Sequence, residues 1–439
     1  MDEQKGALFN ATNRVLSKIK KGDVIAYATE SFSVEFEMDR LKSVENESNF
    51  AMGLRVFIDK KVGNSFINNL NDENSLLENA IKSAKLGEIQ DFELPSSKNI
   101  PEVKLYDENV ISFTKEMAIE KGVEIIKKLK KVDKNAKISV NISKAVKTNL
   151  LANTNGFSAS YSETSFSFYI NMTYVHKDGR ILSVSEGDSF SRLEIGEIDK
   201  MCDSLIEKYT NAKTEVKVKT GYFPVLFSPD ALSLLVDPLE IAANGKNLYK
   251  KVSILENKLG EKIASEVFSI WDNPLYNFGI SSYPFDDEGV IPEKLTIIEN
   301  GVFKNFIFDL FTASKLNKKS TGHAQRSVSS LPSPSFSNIF IEKGEHSLKD
   351  MLSSIDYGIW VFEFLGEGMS NILAGDFSVN IELGYLIEKG KIKGRVKDAM
   401  LSGNSFEAIK NISMIENQIH KKGDLYAPSI LIDKLSITG

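Results

Sequence analysis

Apolar residues recur at helical spacing near the start of the chain, where Leu8, Ala11, Val15, Leu16 and Ile19 share a face and predict a helix over 2–19, stopped by Lys20-Lys21-Gly22. The period then shortens. Runs at 24–27, 32–36, 52–58 and 65–67 are rich in β-branched and aromatic residues and sit between polar, Gly-containing turns, which predicts an antiparallel meander. Leu76, Leu77, Ala80, Ile81 and Ala84 mark a second amphipathic helix ending at Gly87, and the proline-flanked polar stretch 94–101 reads as a connector. A long helix is predicted over 107–131, carried by Val110, Ile111, Phe113, Met117, Ala118, Ile125 and Leu129. Two hairpins follow, one turning at Asn155-Gly156 and the other at Lys177-Asp178-Gly179. A helix over 193–209 then leads into 213–221, where charged residues alternate with nothing bulkier than valine, and the main domain boundary is placed there.

The second half opens with a strand at 222–227, and Ser228-Pro229-Asp230 has the chemistry of a helix start. The helix carries Ala231, Leu234, Leu235 and Leu239, and its internal Pro238 is predicted to kink or end it. Two later segments repeat one pattern: a strand ending in Ile-Glu turns through Asn300-Gly301 or Lys389-Gly390 into another strand. Helices interspersed among meanders, without βαβ alternation, predict an α+β fold. Residues 1–220 form an N-terminal region of antiparallel meanders with helices, with possible subdomains at 1–95 and 102–220, and 221–439 form a β-rich C-terminal domain.

At 439 residues the chain is long enough for at least two domains. No apolar stretch approaches the roughly 18 residues of a membrane helix, and the start lacks the regions of a signal peptide, so a cytoplasmic protein without membrane contact is expected. Cys202, the single cysteine, can form no internal disulfide. The net charge is -6, with 32 basic and 33 acidic residues before position 221 and 22 and 27 after it, so neither half suits nucleic acid as a partner. The basic run from Lys127 to Lys137 reads as a solvated helix end.

The four histidines, His176, His323, His346 and His420, show no metal-ligand spacing, and no phosphate loop, dinucleotide fingerprint or nucleophile elbow is present. Asp286-Asp287-Glu288, followed by Gly289, reads as a solvated turn ahead of an acid/base pair. In Ser320-Thr321-Gly322-His323-Ala324-Gln325-Arg326-Ser327, small, polar and basic groups interrupt apolar sequence. A surface loop and a pocket loop are evenly weighted there. Gly366-Glu367-Gly368 and Gly375-Asp376-Phe377-Ser378 allow close backbone approach.

Taken in order, Gly53-Leu54-Arg55-Val56-Phe57 with Gly63, Asn153 with Asn155-Gly156, Pro284-Phe285-Asp286-Asp287-Glu288-Gly289, Ser320 to Arg326, Gly375 to Ser378, Ile387 to Gly390 and Gly403-Asn404 resemble the TldD/PmbA family, specifically its TldE (PmbA) branch. The resemblance implies a cytoplasmic peptidase system in which TldD-like subunits hold zinc on a His-Glu-x-x-x-His helix plus a later cysteine. Aligned to that helix, this chain has Val236 and Ile241 at the histidine positions, Asp237 at the glutamate's and Glu240 beside them, and the tail 423–428 has no cysteine. Valine and isoleucine offer no lone pair, so no metal or cofactor is expected in this chain; zinc is expected in a TldD-like partner. A heterodimer with such a partner, or a homodimer, enclosing unfolded peptide is the implied assembly. Thr321, Gly322, His323, Arg326 and Asp376 are the candidate peptide-binding residues. The alternatives are a metal-independent hydrolase using Asp237 or Glu240 with His323, and a non-catalytic peptide-binding homodimer. The family's association with DNA gyrase does not imply DNA contact.

Overall fold

The structure, a computed structural model, describes residues 2–96, 99–366 and 371–439. Helix α1 (Asp2–Leu16) precedes β1 (Gly22–Glu37), β2 (Arg40–Ile58), β3 (Lys61–Ile67), α2 (Glu73–Ala84), α3 (Glu108–Ser112), α4 (Lys115–Val132), β4 (Lys137–Asn153), β5 (Ser158–Val175), β6 (Ile181–Phe190) and α5 (Ile195–Ala212). The six strands form one antiparallel sheet ordered β3-β2-β1-β4-β5-β6. The segments on either side of the 94–101 connector therefore share this sheet, with β1 paired to β4 from Asp23↔Asn153 to Phe36↔Val140. Each end has its own core: α1 and α2 cover one, and α4 and α5 cover the other.

The strands outrun the apolar runs that predict them. β1 has 16 residues and β2 has 19, because main-chain pairing continues through exposed polar stretches that carry no hydrophobic signal. The predicted helix over 107–131 is two helices, broken at Phe113-Thr114, where Thr114 Oγ1 accepts from Met117 N at 3.3 Å and starts α4. Gly122 is required inside α4, since a Cβ there would lie 2.3 Å from the Phe36 ring on the sheet below.

The second half contains β7 (Glu215–Val216), β8 (Gly221–Phe227), α6 (Ser233–Ala242), α7 (Gly245–Tyr249), β9 (Ile270–Asp272), β10 (Leu295–Glu299), β11 (Val302–Phe303), α8 (Leu310–Lys315), β12 (Ala324–Gln325), β13 (Ser333–Pro334) and β14 (Ile339–Ile341). After them come α9 (Leu348–Ser354), β15 (Tyr357–Leu365), β16 (Asp376–Glu388), β17 (Lys391–Val396), β18 (Met400–Asn404), α10 (Ser405–Lys410), β19 (Ile412–Ile415), β20 (His420–Lys422), β21 (Leu425–Ala427) and β22 (Ile430–Thr438). Strands β15, β8, β22, β18 and β16 close into a ring through the β15–β16 pairing, with β17 and β7 extending it. A second sheet, β11-β10-β9-β14-β21-β20, packs with α6 into the main C-terminal core. The fold is α+β. Both Ile-Glu hairpins turn with two residues of positive φ, Asn300 (49°) with Gly301 (78°) and Lys389 (50°) with Gly390 (72°).

Pro238 neither ends nor breaks α6, which continues to Ala242. A proline leaves the carbonyl four residues earlier without its helical donor, and here that carbonyl, on Leu234, accepts from Ser405 Oγ at 2.7 Å. The side chain of α10 thus replaces the missing bond.

Candidate functional site

The two halves meet around one arginine. Arg55 lies in β2 opposite Asp23 of β1, in a stretch whose neighbours are all buried, and is itself 1% exposed. Its Nε and Nη2 donate to Asp23 Oδ2 at 2.9 and 2.5 Å, and Nη1 donates to Glu288 Oε1 at 2.6 Å. Arg326 Nη2 reaches Asp23 Oδ1 at 2.5 Å from the C-terminal half. Glu288 Oε2 accepts from Leu310 N at 2.7 Å, fixing the start of α8. Gly53 makes the approach feasible, because a Cβ there would lie 2.3 Å from the Val328 carbonyl oxygen. Burial opposes ionisation of Asp23, but Arg326 and Arg55 outweigh it and hold this carboxyl below its ordinary value.

The acidic turn beside it is buried, which corrects the solvated reading of Asp286-Asp287-Glu288. Asp286 is 2% exposed and accepts from the backbone of Glu288, Val290 and Ala324, and Asp287 Oδ2 accepts from Arg326 N at 2.7 Å. Burial pushes the carboxyls of Asp286 and Asp287 up, and at Asp286 the Glu288 charge adds to the effect. These groups form one wall of a cavity of about 860 Å³ between the N-terminal sheet and the C-terminal loops, lined also by Tyr27, Lys147, Tyr161, Glu163 and Arg326. Lys147 lies 3.4 Å from Glu163 and 5.4 Å from the Tyr27 ring centre.

The predicted loop residues take up internal positions. Thr321 Oγ1 accepts from Phe308 N at 2.9 Å, and Gly322 has φ of 72° with Pro292 where a Cβ would go. His323 is 0% exposed; its Nδ1 faces Thr321 O at 2.8 Å and its Nε2 faces Asp272 Oδ2 at 2.9 Å. Both nitrogens meet internal oxygens, so His323 is committed within the core, as the Arg326 guanidinium is to Asp23. Asp376 stands apart on β16, exposed and bonded to Asn404 Nδ2 at 2.8 Å, and it does not line the cavity. Glu367 and Gly368 lie outside the described residues.

On α6, Asp237 is exposed and Glu240 half-buried. Burial pushes the Glu240 carboxyl up to about 8, reinforced by Asp237, Asp424 and Asp272, so it holds a proton at neutral pH. Val236 is 4% exposed and packed into the C-terminal core. Cys202 is fully buried on α5 in the other core, its thiol pushed up to about 11 by burial. Among the described residues, no three His, Cys, Asp or Glu side chains group together to hold a metal ion. The residues on α6 therefore do not fit zinc at the position where the family resemblance puts it.

Asp23, Arg55 and the burial of the acidic turn are absent from the sequence-based site. The available signal was Arg55 itself, a single charge within Leu54-Arg55-Val56-Phe57 in a strand where every neighbour is apolar.

Residues 22–85, 108–208 and 220–439 match, in turn, domain 1, the central domain and the C-terminal domain of the PmbA/TldA metallopeptidases. An uncharacterized protein of Methanocaldococcus jannaschii is 30% identical over 422 residues, covering 94% of this chain and 97% of that one. A metalloprotease PmbA homolog of Haemophilus influenzae is 25% identical, covering 95% and 92%. The crystal structure of TldE from Thermococcus kodakarensis superposes with a TM-score of 0.88 at 24% identity, covering 99% of this chain and 100% of that one.

Proposed function

From the premise that the chain belongs to the TldD/PmbA metallopeptidase family, we propose that it is the zinc-free subunit of a peptidase pair. In this reading a TldD-like partner in the cytoplasm supplies zinc and activates the water that attacks the peptide bond. This chain contributes the other wall of the chamber around unfolded peptide. The observation that carries the proposal is α6: Val236 is buried among apolar side chains and Ile241 offers no lone pair, at the two positions where the resemblance expects histidines. The cavity at the junction of the halves supplies polar groups for a peptide backbone, while Arg326 and His323 hold its loop in place.

A peptidase assay on an unstructured peptide, with this chain alone, a TldD-like chain alone and the two mixed, tests the proposal. No cleavage alone and faster cleavage in the mixture is the expected pattern. Chelator-resistant cleavage by this chain alone contradicts it.

One observation favours a second reading, a metal-independent hydrolase: Glu240, its carboxyl pushed up by burial, stands three residues from a second carboxyl, Asp237, on α6, as an acid/base pair would need. In that case Glu240→Gln abolishes cleavage by the isolated chain. His323 is withdrawn from that pair by its bond to Asp272.

A further inference from the structure

A second cleft, of about 740 Å³, opens between strands β5 and β6 of the N-terminal sheet and β15 of the ring. It shares no lining residue with the cavity at the junction. Both nevertheless lie along one face of β5, because Tyr161 and Glu163 line the first, Ser167 and Tyr169 line the second, and side chains two apart on a strand point the same way. From Glu163 to Tyr169 is about 20 Å of extended chain. A peptide lying along this face reaches both, whereas a small ligand fills only one.

The charges around the cleft cancel, with one exception. Lys208 lies 2.7 Å from Glu186 and 3.0 Å from Asp230, Lys422 lies 2.9 and 2.7 Å from the same two carboxylates, and Lys421 lies 2.9 Å from Asp188. Three lysines thus answer three carboxylates, and Glu363 is left over. Its Oε1 accepts from Ser185 Oγ at 3.3 Å, and among the described residues it has no cation at ion-pair distance and no second hydrogen bond. Oε2 has no partner and is not closed off by protein, so it is open to the cleft that Glu363 and Ser185 both line. Burial pushes the Glu363 carboxyl up, with Asp230 and Glu382 pushing the same way against Lys208. A carboxylate withdrawn from water without a paired cation is costly, and a cation arriving there relieves the cost.

Aromatic rings stand beside it. Phe364 and Tyr169 line the same cleft, and Tyr169 is 45% exposed. A Cβ on its cross-strand neighbour Gly187 would lie 2.9 Å from the tyrosine ring, so glycine there gives the ring its place. Such faces hold the alkyl stem of a basic side chain and attract its charge.

We propose that this cleft receives a basic side chain, lysine or arginine, of an extended peptide, with the cation on Glu363 and the stem against Tyr169 and Phe364. The site rests on the chamber reading only for the ligand's being a peptide; the preference for positive charge rests on Glu363.

Calorimetric titration of this chain alone, with no partner present, tests the site with three blocked Gly/Ser peptides that differ at one central residue: lysine, its uncharged isostere norleucine, or glutamate. The lysine peptide should bind at least roughly tenfold tighter than the norleucine peptide, as a charge-assisted contact supplies, and the glutamate peptide should bind weakest. Raised salt should narrow the gap. Glu363→Gln should erase it, bringing the lysine peptide to the norleucine level. That variant removes a carboxylate that has no counter-charge, so its melting midpoint should not fall. If it fails to fold, the comparison of lysine with norleucine in the unmutated chain still decides. No binding of any of the three, equal binding of lysine and norleucine peptides, or a lysine preference that survives Glu363→Gln overturns the proposal. A lysine preference that depends on Glu363, with no faster cleavage when a TldD-like chain is added, supports the cleft and contradicts the chamber reading instead.

Discussion

At the junction of the halves, Asp23, Arg55, Glu288 and Arg326 keep four charges at side-chain exposures of 0–2%, while α6 presents buried Val236 and apolar Ile241 where the family resemblance expects metal donors. Burying ion pairs gains little over apolar packing, so stability alone does not explain the first region. What the network does is tie together segments 233 and 303 positions apart in sequence and fix how the N-terminal sheet meets the C-terminal loops. On α6 the packing is intact, with valine and isoleucine where the resemblance expects histidines. The contrast separates a junction held by buried charges from a helix whose two resemblance-matched positions carry apolar side chains.

The largest predicted effect comes from Arg55→Met, which leaves Glu288 without its counter-charge and Asp23 with Arg326 alone. A loss of about 3–5 kcal/mol in urea unfolding is expected. A neutral result would break the claim that the network fixes the junction. Arg326→Ala should cost less, about 1–3 kcal/mol, because Asp23 retains Arg55. Here two readouts sharpen the comparison: melting should fall first, with peptide cleavage by the mixed complex following it. Reduced cleavage with unchanged melting would place Arg326 on the substrate.

The third prediction concerns α6 and pH. The folded chain raises the Glu240 carboxyl from an ordinary 4.5 to about 8, so between those values it holds a proton the unfolded chain has released. Stability from this group therefore falls as pH rises from about 4.5 to about 8. Glu240→Gln should remove that slope, gaining over the parent as pH approaches 8 and matching it near about pH 4, as followed by melting against pH. The opposite sign would show Glu240 ionised in a favourable site. Smallest is Ser405→Ala, which removes the donor to Leu234 O beside Pro238 and should cost about 0.5–1.5 kcal/mol.

Helix α2, helix α5 and the hairpins at Asn155-Gly156, Asn300-Gly301 and Lys389-Gly390 were legible because periodicity and turn chemistry are local. Local signals failed where the partner lies far along the chain. The Asp286-Asp287-Glu288 turn resembles a solvated turn until Arg55, more than two hundred positions earlier, arrives as its counter-charge. Pro238 looks like a helix end until Ser405 supplies the missing bond. The exposed half of β2 has no hydrophobic alternation, and only its pairing with β1 identifies it as strand. Similarly, the polar loop from Ser320 to Arg326 showed its composition in sequence, but its commitment to Asp23 and Asp272 depends on the fold.

The central claim, that this chain shapes the chamber without supplying the metal, is tested most directly by its zinc content when purified alone, exposed to excess zinc and exhaustively dialysed. The account predicts no stoichiometric zinc, and no change on Glu240→Gln. One tightly held zinc per chain, lost in that variant, would contradict it by showing that α6 carboxylates have built a metal site of their own.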